Sequence, residues 1–193
     1  MTDDIHKKLQ VLADEIKNCT KCKLHKTRTQ TVFSRGNAEA SVCIIGRDPG
    51  NDEDKQGIPF VGRSGQLLDK AILDLGYNLE KDIYVCNCLK CHCPDNRRPE
   101  PDEVNACLPH LDNQLSLIKA KVLITLGSDA MSILTNETKG ITKVRGAWYK
   151  WKDKNVKVLN HPSWLIRSGG EKSIHYQQFK DDLQDAFTKA KEL

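Results

Sequence analysis

The chain has 193 residues, 30 Lys and Arg against 26 Asp and Glu, a formal net charge of +4 and 38% hydrophobic residues, a balance that suits one folded domain over 1–193 with room for a core. No apolar run of about 18 residues is present, so nothing reads as a membrane span and no membrane partner is expected. The opening MTDDIHKKLQ lacks the basic-then-apolar pattern of an export signal, which makes an intracellular, cytoplasmic protein of prokaryotic type the expectation.

Ile5, Leu9, Leu12 and Ile16 recur at helical spacing over residues 3–18, so the chain is expected to open with an amphipathic helix. Cys19 and Cys22 follow as a C-x2-C pair, the spacing at which one turn presents two thiolates to a metal. Eight cysteines in an intracellular chain favour a metal or cluster over disulfides. A basic loop comes next, as suited to phosphate as to water.

Residues 42–45 form a short apolar run that suits a buried strand. It breaks at Gly46-Arg47-Asp48-Pro49-Gly50, where glycine and proline impose a turn. A polar loop carrying Asp52, Glu53 and Asp54 leads to a second tight segment, Pro59-Phe60-Val61-Gly62. A helix capped by Ser64 follows, with Leu67, Leu68, Ala71, Ile72 and Leu75 on one face. The loop matches neither GxGxxG nor GxxxxGK[ST], which argues against a nucleotide-phosphate cradle.

Residues 83–89 read as a second strand, followed by a proline-broken loop over 90–99. A helix starting at Pro101 turns Val104, Cys107, Leu108 and Leu111 inward. Residues 122–126 give a third strand, Gly127-Ser128 a turn into a short helix ending near Leu134, and 145–158 a hairpin feeding a fourth strand at 156–159. That strand delivers Asn160-His161-Pro162-Ser163-Trp164-Leu165-Ile166-Arg167, and a final helix over 174–190 closes the chain. Strands alternating with helices predict an α/β fold, a three-layer α/β/α sandwich around a central, mainly parallel four-stranded sheet.

Asp48, Asn87, Gly127 and His161 then fall at the C-terminal ends of successive strands, which in an open parallel sheet share one crevice. An amide reads a pyrimidine edge by paired hydrogen bonds and a phenyl ring such as Phe60 stacks on the base. An imidazole stabilises negative charge on a departing base. A carboxylate orients water and offsets positive charge on the sugar. Taken singly, each residue reads more readily as an ordinary turn, strand-end or loop residue than as a functional one.

The segments Pro49-Gly50, Glu53-Asp54, Gly57, Pro59-Phe60-Val61-Gly62 and Gly65-Gln66-Leu67-Leu68 resemble the uracil-DNA glycosylase superfamily, most closely its iron–sulfur branch, often called family 4. The resemblance runs from Cys19 to about Arg167. It departs at Arg47-Asp48, where that branch has glutamate and then a small residue, while family 1 carries aspartate at the Asp48 position.

The resemblance implies a monofunctional glycosylase that hydrolyses the N-glycosidic bond of a flipped-out pyrimidine. Asp48 and His161 are its catalytic residues, and Gly46, Arg47, Gly50, Phe60 and Asn87 line the base. Ser163, Leu165 and Arg167 meet DNA, with Leu165 as an exposed loop wedge that fills the flipped base's space. Its cluster ligands match Cys19, Cys22, Cys91 and Cys107. Such an all-thiolate set suits a [4Fe–4S] cluster, with zinc as the alternative occupant and Cys88 or Cys93 as alternatives to Cys91. The expected partner is DNA containing uracil or a modified pyrimidine, with a monomer and no obligate protein partner. Gly50 leaves the base's C5 side open, so a 5-modified pyrimidine, such as glucosylated hydroxymethylcytosine of phage DNA, is an alternative substrate that would imply antiviral defence. A non-catalytic, DNA-binding iron–sulfur protein is the second alternative.

Overall fold

The structure, a computed structural model, describes residues 2–193, with side chains from Asp4 onward. Its elements in chain order are α1 (Thr2–Lys17), β1 (Ser34–Gly36), β2 (Val42–Gly46), α2 (Asn51–Gln56), α3 (Arg63–Asp74), β3 (Ile83–Asn87) and α4 (Pro101–Leu117). They continue with β4 (Val122–Leu126), α5 (Ser128–Thr135), α6 (Ile141–Val144), β5 (Trp148–Trp151), β6 (Lys154–Leu159), α7 (Pro162–Arg167) and α8 (Ile174–Glu192). Among the described residues no helix is long and apolar enough to cross a membrane.

The sheet runs β1-β3-β2-β4-β6-β5. Its middle four strands are parallel, as expected, and antiparallel β1 and β5 extend it at the edges to six. Three residues of β1 are too few to show a periodicity, which is why that edge is invisible in the sequence. Every residue of β2, β3 and β4 is buried, the mark of parallel strands covered on both faces.

The pleat divides the core in two. Cys43 and Ile45 face a layer built from α1, α4 and α5, including Leu9, Leu111, Leu115 and Leu134. Val42 and Ile44 face the opposite layer of α3, α7 and α8, including Leu68, Ile72, Leu165, Phe179 and Leu183. The architecture is the expected three-layer sandwich.

Two local expectations are corrected. Residues 51–56 form α2 rather than a loop: Asp52, Glu53 and Asp54 occupy its first turn, where the helix dipole favours carboxylates, and Gly57 ends it with φ 74°. Gly62, not Ser64, is the N-cap of α3, with extended backbone (φ −72°, ψ −173°). Glu53 fixes that turn, its Oε1 accepting from the N–H groups of Val61 (2.9 Å) and Gly62 (2.8 Å).

Parallel register aligns the strand ends. Gly46 stands opposite Asn87 and Leu126 opposite Leu159, and Gly127 N–H donates to the Leu159 carbonyl at 2.8 Å. The residues just beyond these ends share the carboxyl edge of the sheet.

Candidate active site and cysteine recess

Gly46 forms the floor of the crevice. A β-carbon there would lie 2.4 Å from Asn87 Oδ1 and 2.6 Å from Phe60 Cζ, so only glycine lets the amide and the ring meet. Phe60 holds a left-handed backbone, φ 57°, a conformation that costs about 1 kcal/mol or more for a side chain of this kind. The turn is kept by the Glu53 carboxylate on one side and by Gly65 on the other, where a β-carbon would fall 1.9 Å from the Phe60 carbonyl oxygen. The Phe60 ring lies 6.3 Å from the His161 ring, centroid to centroid, at 33°.

Asn87 is 2% exposed, and its Oδ1 has no hydrogen-bond partner. An orphaned acceptor of this kind costs roughly 1–3 kcal/mol unless a ligand satisfies it. The atom stands beside the Phe60 ring, where a planar donor stacked on the phenyl face would reach it.

His161 caps α7. Its Nδ1 accepts the Ser163 N–H at 3.1 Å, and the Ser163 hydroxyl lies 2.8 Å from the same nitrogen. Burial, then the charges of Arg47 and Arg167, push the imidazole pKa down to about 4, against a smaller opposing pull from Asp129. The ring is therefore neutral at physiological pH, with its proton on Nε2.

Asp48 follows β2 as expected, but its carboxylate is already engaged. Oδ1 accepts from Arg47 Nε and Oδ2 from the Cys93 N–H at 3.3 Å, with the side chain 4% exposed. Arg47 also reaches Asp129 Oδ2 and the Asn96 carbonyl, both at 3.2 Å. Of the neighbouring acids, Asp54 is buried and holds the Thr29 N–H with both oxygens, at 2.9 and 3.0 Å. Gly50 is the N-cap of α2, with Glu53 Oε2 against it.

Leu165 requires a correction. It is not an exposed loop leucine but a fully buried side chain on α7, packed in the core with α3 and α8. Pro162 starts a helix there, and the helix turns Leu165 inward and leaves Trp164 and Ile166 partly exposed. Leu165 cannot enter a duplex without leaving the core. Arg167 is exposed.

Away from the crevice, Cys19, Cys22, Cys91 and Cys107 line one recess together with Ile16, Lys90 and His110. Cys88 and Cys93 do not line it; both are buried elsewhere, Cys93 beside Asp48. Arg28 Nη1 donates to Cys91 Sγ at 3.2 Å, and the Lys90 N–H donates to Cys107 Sγ at 3.4 Å. No three His, Cys, Asp or Glu side chains among the described residues converge on a single ion position.

The loop between recess and crevice contacts both. Lys90 Nζ donates to the Asn87 carbonyl at 2.7 Å, Cys91 lines the recess, His92 Nδ1 donates to the Pro49 carbonyl at 2.8 Å, and Cys93 N–H reaches Asp48. Of these four loop residues, the sequence pointed to Cys91, with Cys93 as an alternative ligand, and gave no role to Lys90 or His92. The available signal was a lysine and a histidine inside the run at residues 83–93, whose other members are apolar or cysteine apart from Asn87.

Residues 33–184 match the Uracil DNA glycosylase superfamily. The chain is 40% identical over 162 residues to the Type-4 uracil-DNA glycosylase of Thermotoga maritima, covering 83% of this chain and 84% of that protein. It is 35% identical over 190 residues to the Type-4 uracil-DNA glycosylase of Sulfurisphaera tokodaii, covering 96% and 84%. A DNA polymerase of Bacillus phage SP01 is 27% identical over 145 residues, 15% of its own length.

Proposed function

The chain belongs to the uracil DNA glycosylase superfamily, and from that premise we propose that it is a monofunctional enzyme that hydrolyses the N-glycosidic bond of uracil flipped out of DNA. The observation that carries this reading is the orphaned Asn87 Oδ1 beside the Phe60 ring. Uracil presents an N3–H donor and an O4 acceptor side by side, the complement of a carboxamide's oxygen and NH2 group. Cytosine presents the reverse pattern. The names of the relatives, which specify uracil, weight the substrate toward uracil over a 5-substituted pyrimidine.

In this reading the base stacks on Phe60, over the space that Gly46 keeps clear, and Asn87 reads its edge. His161 acts as a neutral donor: with Nδ1 held by Ser163, Nε2–H faces the base oxygen on which negative charge develops as the glycosidic bond breaks. Arg47 adds positive charge on the same side. Asp48 uses the lone pairs left free by Arg47 and Cys93 to orient the attacking water, and its charge offsets that growing on the sugar. Arg167 contacts phosphate, and intracellular DNA is the partner. Trp164 and Ile166, rather than Leu165, are the apolar side chains of α7 available to the vacated stack.

The four recess cysteines form an all-thiolate donor set that fits a [4Fe–4S] cluster, the cofactor expected from the family resemblance. When bound, the cluster clamps α1, α4 and the 90–93 loop together. Excision assayed across duplexes carrying uracil, cytosine and 5-modified pyrimidines tests the substrate assignment: abasic sites at uracil alone support it, and abasic sites at a modified base alone overturn it.

A further inference from the structure

Lys90 is among the most deeply buried large side chains of the protein, 1% exposed. Its ammonium donates to the Asn87 carbonyl at 2.7 Å and to Gln114 Oε1, and it lies 5.9 Å from the centre of the Phe33 ring. Both hydrogen-bond partners are neutral oxygens, and no ion pair of the described residues includes it. The surroundings are built for it: Gln114, fully buried, is itself fixed by donating to Tyr84 Oη at 2.9 Å and to the Phe33 carbonyl at 3.2 Å. A lysine charge out of water without an anion is expensive, and proteins retain one where an anion or a function answers it.

In the cluster reading, the anion is next door. Lys90 lines the recess of Cys19, Cys22, Cys91 and Cys107, and its own backbone N–H points at Cys107 Sγ. A [4Fe–4S] cluster held by four thiolates carries net negative charge, which increases on reduction. We propose that Lys90 is the buried counter-cation of the thiolate-held cluster and a positioning residue for Asn87, joining the recess to the base-reading end of β3 through one ammonium. The assignment rests on the cluster reading above. Arg28, which donates to Cys91 Sγ from the more exposed side, shares the compensation. Lys90 differs in also gripping the strand end that carries Asn87.

The test is a redox titration of the iron-loaded protein, with iron and sulfide content measured alongside, on wild type and Lys90→Gln. Glutamine keeps a donor near the Asn87 carbonyl and removes the charge. The expected result is a lower midpoint potential, because reduction adds negative charge to a site that has lost its cation, together with a KM for uracil-containing duplex that rises more than kcat falls. An iron-loaded Lys90→Gln protein with an unshifted potential overturns the proposal. Where Lys90→Gln does not accumulate with iron, the wild type decides: Lys90 resists an amine-acylating reagent while iron is bound and becomes modified once iron is chelated away. Unchanged protection after complete iron loss overturns the proposal equally. Wild-type protein that never binds iron defeats the cluster reading itself, a result distinct from either.

Discussion

Ser163 delivers its backbone N–H and its hydroxyl to one atom, His161 Nδ1, at 3.1 and 2.8 Å. A backbone N–H always donates, so Nδ1 accepts and the proton of the neutral ring resides on Nε2. The fold thereby chooses the tautomer that has a donor to offer the crevice.

A pH dependence follows with a defined sign. Because burial and the neighbouring arginines lower the His161 pKa to about 4, excision should stay level from about pH 8 to pH 5 and fall only as the pH approaches 4. A pH–rate profile under single turnover checks this. The stability linkage runs the same way. The unfolded chain takes up the His161 proton near pH 6.5 and the folded one near 4, so the contribution of this residue is intact above the unfolded value and is lost progressively as the pH falls toward 4. A rate profile breaking near 6.5 would count against the neutral donor.

Leu165 is a core residue, so Leu165→Ala should lower stability by roughly 2–5 kcal/mol, the range for deleting a buried leucine side chain, measured by denaturant unfolding. At temperatures where the variant stays folded, it should flip and excise nearly normally. Arg167→Ala should instead weaken binding to every duplex and reduce the salt slope by about 1. A stable Leu165→Ala protein with defective flipping would restore the wedge assignment.

The crevice was largely legible in the sequence because parallel strands bring their carboxyl ends together whatever lies between them. With β2, β3 and β6 parallel, the segments that carry Asp48, Asn87 and His161 leave the sheet at one edge. What stayed hidden depended on orientation or on polar segments. Six polar residues of α2 carry no apolar periodicity, so the helix that places Glu53 under the Phe60 turn read as a loop. The HPSWLIR segment read as exposed loop because its helix is short, and only the helix reveals that Leu165 turns inward. Spacing could not choose Cys91 over Cys88 or Cys93, because the choice is made where β3 ends at Asn87 and the chain bends around the recess.

The recess makes a selective prediction. Cys19→Ala, Cys22→Ala, Cys91→Ala and Cys107→Ala should each lose iron and acid-labile sulfide. Cys43→Ala, Cys88→Ala and Cys93→Ala, which alter thiols outside the recess, should keep both. Elemental analysis of anaerobically purified protein reads the result. One equivalent of zinc with no iron would contradict the cluster.

Asp48→Asn should retain the fold and DNA binding while slowing excision by ~10²–10⁴-fold, the range for a positioned acid–base group. Since Asp48 also holds Arg47, Asp129→Asn is the control: it removes another anchor of the guanidinium but leaves the water-orienting carboxylate in place. Equal losses in the two variants would assign Asp48 to holding Arg47 rather than to the water.

The most direct measurement is single-turnover excision on a duplex carrying one uracil, read as strand breaks after alkali, for wild type and Asn87→Ala. The orphaned Asn87 Oδ1 should find its partner in the base. Wild type should therefore convert the uracil position alone to an alkali-labile site and leave the matched cytosine duplex intact. Asn87→Ala should lose roughly 10²–10³-fold in rate, as expected when a preorganised polar contact to the reacting group is removed, while still binding undamaged DNA. Wild-type protein that leaves uracil in place, or Asn87→Ala that excises it at an undiminished rate, would contradict the account.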